Sequence, residues 1–345
     1  MDIKGRWFWF ETCRPYLLLT LNVLFVAVFM ILLQYILSKG VVSVLAIVVY
    51  ENIIATVVLS FFAFFLERQK RPPLSIKIVC YAFLLGFLQV TLSRLMLAMS
   101  LQYIASSYQS ICLNLIPAIV FVLALIFRQE KLRFCSTNGQ AKIWGVTSSA
   151  AGVLVTVLWK GPTILKSTNF GSFQVASEGT IGAIMLIVGV LATSFWNISV
   201  GPVTRMYPAE LSLLAMVNFF GTIQTAIVTA IVIPSSSWEL QWLGGLVLLA
   251  ILFGGIVITA FSYYVLIWSI HKRGPVFTTA FTPLLIVFSF LLDTIFLRDS
   301  THLGSIVGAI LVVVGLYLIL WAKADDKKKN EIRDDMSIDS PLIQP

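Results

Sequence analysis

Ten apolar stretches, each roughly 20 residues long, follow one another along this chain with almost nothing between them. At about 1.5 Å per residue, each is long enough to cross a hydrocarbon core of about 30 Å. Only helices and closed barrels satisfy every backbone polar group in lipid, and a barrel would show alternating runs of about 10 residues. The stretches here are about twice that length and apolar on all sides. A charged fraction of 12%, against about 25% in soluble domains, leaves little chain for a water-soluble domain. The expected fold is an all-α polytopic membrane protein of ten transmembrane helices.

The spans read as 17–38, 44–66, 76–98, 104–127 and 140–159, then 179–200, 210–233, 242–267, 275–297 and 302–321. Lys and Arg set the orientation. With the N-terminus in the cytosol, 19 of the 24 fall in cytosolic segments; Lys39, Lys160, Lys166 and Arg298 fall outside, and Arg94 lies within a span. That bias predicts that both termini are cytosolic. It also accounts for the net charge of +8 without a nucleic-acid partner, because basic residues on a cytosolic rim meet anionic lipid. The first apolar run is too long for the core of a signal peptide and no small-residue cleavage site follows it, so it is expected to stay as an anchor. Cys13, Cys80, Cys112 and Cys135 lack metal-like spacing and none falls in an outside loop, which argues against a disulfide framework. The glycosylation pattern Asn197-Ile198-Ser199 lies inside a span, beyond the reach of a transferase.

The one long break carries Gly161-Pro162 and then Ser167, Thr168, Asn169, Gly171 and Ser172, an irregular composition. It divides the chain into a cytosolic N-terminus (1–16), a first five-helix half (17–159), an extracytosolic linker (160–178), a second five-helix half (179–321) and a cytosolic tail (322–345). The tail is mixed in charge, poor in apolar residues and expected to be disordered. The halves resemble each other weakly. Leu115-Ile116-Pro117 precedes Phe127-Arg128-Gln129-Glu130, and Phe281-Thr282-Pro283 precedes Phe296-Leu297-Arg298-Asp299. If that repeat is real, its odd number of spans makes the second half enter from the opposite side. Such inverted pairs build alternating-access carriers with a substrate site near the midplane. The alternative is a duplicated scaffold that transports nothing.

Several chemistries are not indicated. No G-x-x-x-x-G-K-[ST] loop and no H-E-x-x-H helix is present. The two histidines, His271 and His302, fall in separate short loops, and Asp293 is a lone acid within a span. No enzyme activity, metal or cofactor is expected.

Lys272-Arg273-Gly274-Pro275-Val276-Phe277, followed by Ala280-Phe281-Thr282-Pro283-Leu284, resembles the signature that opens the ninth helix of plant UMAMIT proteins, also called Walls-Are-Thin-related or nodulin-21-like proteins. The run from His302 to Lys323 is similar to that family's last helix. Phe64-Phe65-Leu66-Glu67-Arg68, Asn114-Leu115-Ile116-Pro117-Ala118 and Lys160-Gly161-Pro162 fit as well. The resemblance covers about 14–323 and places the chain in the EamA branch of the drug/metabolite transporter superfamily. It implies ten helices in two EamA-type repeats and facilitated or proton-coupled movement of amino acids, auxin or related metabolites. The chain departs from the family at three places. The family usually carries Arg where Glu51 stands, Asp-Gln where Ser93-Arg94 stands, and Glu where Arg298-Asp299 stands.

Charged groups inside spans face a cavity or a partner, because a charge at the bilayer centre costs about 2.5–3.5 kcal/mol on insertion scales. Glu51 and Arg94 lie at similar depth, roughly 7–11 Å below the outer surface, on helices joined by a short loop. The reading is that they pair and brace an outer gate; the alternative is that each snorkels alone. The substrate pathway is expected among Asn22, Gln34, Gln89, Asn114, Asn197, Tyr263, Thr279 and Thr282, with Gln109, Asn218, Gln224, Tyr264 and Thr278 as further polar candidates. Amides and hydroxyls hold a zwitterion's two ends without a fixed charge; the alternative role is interhelical hydrogen bonding. Asn114 is the best single candidate. Trp196 is read as a gate or as packing. Pro275 opens helix 9, where its fixed φ is already helical. Pro117 and Pro283, read as lying inside helices 4 and 9, serve as hinges or as ordinary packing.

The expected function is a secondary carrier of small organic solutes, amino acids first, by export or bidirectional facilitation. Auxin, another indole or an organic acid is the alternative substrate, and a non-transporting sensor or scaffold the alternative class. The expected partners are the lipid bilayer, a small solute, a proton if transport is coupled, and a second copy in a homodimer. The expected site is the plasma membrane, with the vacuolar membrane as alternative.

Overall fold

The computed structural model describes residues 3–38, 43–69, 71–100, 112–130, 136–158, 179–234 and 245–292, together with 103, 109, 238, most positions from 307 to 322, and 325. The linker 160–178, Gly304, Ser305, Asp293, Arg298-Asp299, Cys135 and nearly all of the tail lie outside the described residues.

Every regular element among the described residues is helical. In chain order they are α1 (Ile3–Ser38), α2 (Val44–Glu67), α3 (Ile76–Ser100), α4 (Ile116–Ile126) and α5 (Thr137–Leu158). Then come α6 (Gly179–Met206), α7 (Glu210–Val232), α8 (Leu246–Arg273), α9 in two pieces (Pro275–Thr279 and Leu284–Leu292) and α10, whose described residues fall between 307 and 322. Six stretches among the described residues are long and apolar enough to cross a bilayer, one each on α1, α2, α3, α6, α7 and α8. The chain is a multi-pass membrane protein.

Four expectations need correction. The apolar runs understate the helices at one end of the bundle: α1 begins at Ile3 rather than 17, α6 runs on to Met206 and α8 to Arg273. Hydropathy marks where side chains meet lipid, while the backbone ladder continues into polar sequence. His271 consequently sits in the last turn of α8, not in a loop. Pro117 is not inside a continuous helix. A turn at Asn114-Leu115 separates the helical Cys112-Leu113 from α4, and Pro117 stands in the first turn of the restart, where its missing N–H is not needed. Pro283 likewise closes the turn 280–283 between the two pieces of α9, where Thr282 N–H reaches Thr279 O at 3.0 Å and Leu284 N–H reaches Phe281 O at 3.0 Å. Pro275 opens α9 behind Gly274, whose φ of 86° favours glycine.

The centre of the bundle is the pair α2 and α7. Tyr50 meets Trp238, Thr56 meets Thr222, and Glu67 meets Leu211 and Ser212, so the two helices run antiparallel. α3 packs along α7 in parallel, with Gly86 against Val217 and Gly221 and Thr91 against Gln224. α8 packs along α2 in parallel, with Gly254 and Gly255 against Glu51 and Ile54. α6 runs antiparallel to α3 through Ser93–Thr193 and Leu97–Gly189, and α1 antiparallel to α8 through Phe29–Phe253 and Arg14–Trp268. α4 rests on α6, and the first piece of α9 on α4; α1 lies along the second piece of α9. α5 meets α10 through Gly145–Gly315 and a bond from Ser148 to Leu311 O at 3.0 Å.

Lipid tails are as apolar as these side chains, so close packing of small residues rather than hydrophobic exclusion brings the helices together. Gly86 and Gly221 let α3 and α7 touch backbone to backbone: a Cβ on Gly86 would lie 2.9 Å from Gly221 N. Phe61, Phe64, Phe65, Ile223 and Ile231 stay on the outer surface, where a bilayer covers them. Two long helices, α3 and α8, carry a π-helical stretch, Phe87–Arg94 and Gly254–Ser262. Each stretch frees backbone groups and redirects the residues that follow, a feature common at functional sites.

Gly86→Val should lower the stability of the purified full chain by about 1–3 kcal/mol, the usual cost of overpacking. Thermal unfolding in detergent measures it; an unchanged midpoint would mean α3 and α7 are not in backbone contact.

Candidate functional site

A polar seam runs along the α2–α7 interface. Thr56 and Thr222 hydroxyls lie 3.0 Å apart, Asn218 Nδ2 donates to Asn52 O at 3.1 Å and to Thr56 Oγ1 at 2.9 Å, and Thr222 donates back to Asn218 O at 2.6 Å. Asn52-Ile53-Ile54-Ala55-Thr56 and Asn218-Phe219-Phe220-Gly221-Thr222 are one motif, repeated 166 residues apart and clasped face to face. Each such bond is worth about 0.6 kcal/mol on average in a membrane.

Towards one end of this seam, Arg94 Nη2 meets Glu51 Oε2 at 2.7 Å. The side chains are 13% and 1% exposed. Arg94 Nη1 also donates to Thr259 Oγ1. Arg94 ends the π-helical stretch of α3 and Thr259 lies in that of α8, so both irregular segments aim groups at this pair. The glycine at 254 makes room for the acid. A Cβ there would fall within 2.8 Å of Glu51 Cγ and nearer still to its carboxylate. Burying two charges is costly, and the pair holds because each partner offsets the other's lost hydration. Glu51 Oε1 and both polar atoms of the Asn52 side chain have no protein partner.

The other expected residues divide into two groups. Gln89, Asn197, Asn22 and Tyr263 lie at one level. Ser93 faces Thr193 and Leu97 faces Gly189, so Gln89 and Asn197, one turn further along their helices, come to the same level. Trp196, next to Asn197, is buried and meets Tyr263 edge-on at 5.8 Å. Asn22 lies between Leu19 and Val23 on α1, in the same packed cluster as Val265 of α8, and the contacts Arg14–Trp268 and Phe29–Phe253 set it within about one turn of Tyr263. Asn22 Oδ1, Gln89 Oε1 and Trp196 Nε1 are buried without a protein partner. Asn197 donates to Thr193 O at 2.9 Å. No carboxylate or cation of the described residues belongs to this layer.

The second group is spent on local structure or lies elsewhere. Thr279 donates to Pro275 O at 2.9 Å and Thr278 to Ser269 at 2.9 Å; Thr282 is half-buried in the α9 turn. Gln109 donates to Leu97 O at 2.8 Å. Asn114 is buried in the turn that precedes α4, and Gln34 lies in α1. Gln224 accepts from Thr91 at 3.0 Å, and Tyr264 is half-buried on α8. Sequence reasoning missed Asn52, Thr56 and Thr222, although the repeated Asn-x-x-small-Thr was there to find.

The comparisons with known proteins give the class. The profile of the EamA-like transporter family matches residues 14–158. The chain is 32% identical over 337 residues to WAT1-related protein At5g64700 of Arabidopsis thaliana, covering 93% of both. It is 31% identical over 343 residues to WAT1-related protein At2g37460 of the same plant, covering 97% of this chain and 89% of that one. A crystal structure of another protein shares the fold, with a TM-score of 0.64 at 16% identity, over 90% of this chain and 98% of that one. The chain belongs to the WAT1-related family of plant membrane transporters.

Breaking the Glu51–Arg94 pair from either side should cost about 3–5 kcal/mol, because a buried charge is left alone. Glu51→Gln with Arg94→Gln together should then be no less stable than either change alone. Denaturant or thermal unfolding of the three variants measures the coupling; strictly additive losses would contradict it.

Proposed function

We propose that this chain is a secondary carrier that moves small neutral organic solutes, amino acids first, across the plasma membrane by alternating access, in export or bidirectional facilitation. The observation that carries the reading is the neutral layer of Asn22, Gln89, Trp196, Asn197 and Tyr263, with buried donors and acceptors left unpaired inside the spans. Such groups are costly unless something polar meets them in the working cycle. A zwitterion carries no net charge and offers both donors and acceptors, so amides and an indole N–H suit it without a fixed counter-charge.

The architecture proposed with it is ten transmembrane helices in two inverted five-helix repeats, 17–159 and 179–321, with both termini cytosolic. The pairings support this. A shift of five helices turns α3 beside α7 into α8 beside α2, both parallel. It turns α3 against α6 into α8 against α1, both antiparallel. It pairs the two π-helical stretches and the two helix restarts at Pro117 and Pro283. α2 and α7, equivalent under that shift, run in opposite directions, as an inverted repeat requires. Glu51–Arg94 then braces one end, and the turns before Pro117 and at Pro283 are the bending points.

A flat aromatic acid of the auxin type is the second reading. The buried Trp196–Tyr263 edge contact favours it, since an indole or aryl ring would stack there.

Proteoliposomes containing the full chain should take up a radiolabelled amino-acid pool with saturable kinetics. Asn22→Leu or Gln89→Leu should lower flux about tenfold, the loss of one buried hydrogen bond to the solute. Flux that stays linear with concentration would indicate a channel, and zero flux across a broad panel a scaffold. Competition by an indole acid separates the two substrate readings, and an imposed pH gradient tests proton coupling.

A further inference from the structure

Two carboxylates close the basic end of the bundle, and the transport reading uses neither. Glu67 is the last residue of α2. Its carboxylate accepts from Leu211 N–H at 2.9 Å, from Ser212 N–H at 2.7 Å and from the Ser212 hydroxyl at 2.8 Å. The first turn of a helix has unpaired N–H groups and the positive end of the dipole, so an acid from a neighbouring helix anchors it well. Glu210, the first residue of α7, accepts or shares a proton with His271 Nδ1 at 2.7 Å, in the last turn of α8. The pair is only partly buried, His271 being 32% and Glu210 13% exposed.

Further charges lie at this end among the described residues. Arg71 and Tyr207 lie with Glu67, and burial pushes the Tyr207 phenol up, with Arg71 opposing and Glu67 adding to the shift. Arg14 of α1 and Tyr264 of α8 lie with Glu210 and Glu67. Lys272 and Arg273 follow His271 on its own helix. Glu67 and Glu210 bring negative charge to this end of the bundle, and Arg14, Lys272 and Arg273 bring positive charge.

We propose that Glu210–His271 is a pH-sensitive latch that holds the basic end of the bundle shut, with Glu67 as the positioning residue that fixes the α7 terminus bearing Glu210. The role of this latch in a transport cycle rests on the alternating-access reading; its opening does not. An imidazole gains its charge as pH falls from about 8 to about 5. Below that interval the contact is an ion pair and the end is held. Above it the contact is a hydrogen bond to a neutral ring and the end loosens. A partly exposed ion pair shifts such an equilibrium by about fivefold at most.

The test uses the full chain in nanodiscs, where both faces are open to reagent. Cys13, Cys80, Cys112 and Cys135 are replaced by Ala, and Ser269→Cys is the reporter. Ser269 is buried on α8 two residues before His271. The rate of labelling by a charged maleimide is read at each pH against the same reporter carrying His271→Gln, which cancels the thiol's own titration. With the latch intact, labelling should be about fivefold slower than with His271→Gln at pH 6 and equal to it at pH 8.5. Glu210→Gln should match His271→Gln. His271→Arg, which never loses its charge, should label slowly at both pH values. Equal rates for the intact latch and His271→Gln at pH 6 would overturn the proposal. So would a His271→Arg variant that follows the native pH profile, or a reporter that stays unlabelled at every pH. Labelling needs no solute, so a chain with this profile but no flux would sink the carrier reading and leave the latch standing.

Discussion

The structure depends on two antiparallel helices, α2 and α7, that touch through polar atoms along their length. In lipid, apolar contact alone gives neighbouring helices little reason to choose one partner over another. Thr56, Asn218 and Thr222, with the backbone carbonyl of Asn52, supply that choice, because each polar group left unpaired in hydrocarbon is costly. The clasp fixes register and direction together: a one-residue slip would turn both threonines away from each other. The other helices are then placed by small residues. Gly86 and Gly221 set α3 on α7, and Gly254 and Gly255 set α8 on α2.

Around this axis the bundle has different chemistry at its ends and its middle. One end carries the buried Glu51–Arg94 pair, with Thr259 beside it. The other carries a carboxylate anchored on a helix terminus and a histidine–carboxylate contact. Among the described residues the middle carries no charge and holds unpaired amide and indole groups. Charges at the ends stiffen the contacts between helices, while a neutral middle imposes no permanent counter-ion on a solute. That division suits a protein whose ends must open in turn, and it is what the proposed carrier reading needs.

Much of the fold was legible in the sequence, because hydropathy over about 20 residues is a strong signal in lipid. The bounds of α2, α5 and α7 follow the apolar runs within three residues. Helix ends at the basic side were not legible, since Arg205, His271 and Arg273 continue a backbone ladder that hydropathy cannot see. Nor were the π-helical stretches, which change hydrogen bonding without changing composition. Glu51 and Arg94 were visible as isolated charges, and their shared depth was enough to suggest a meeting. Asn52, Thr56 and Thr222 were hidden among similar polar residues until their spacing was compared between the halves. Glu67 was quoted only as part of a motif, because its work is done on a helix that begins 143 residues later.

The central claim is that one solute site is exposed to the two sides in turn. Counterflow tests it most directly. Proteoliposomes holding the full chain are preloaded with an unlabelled amino-acid pool at high concentration and diluted into a trace of the labelled pool. A carrier that reorients faster when loaded should accumulate label transiently above its equilibrium level. Label that rises only to equilibrium, unaffected by preloading, would contradict the account.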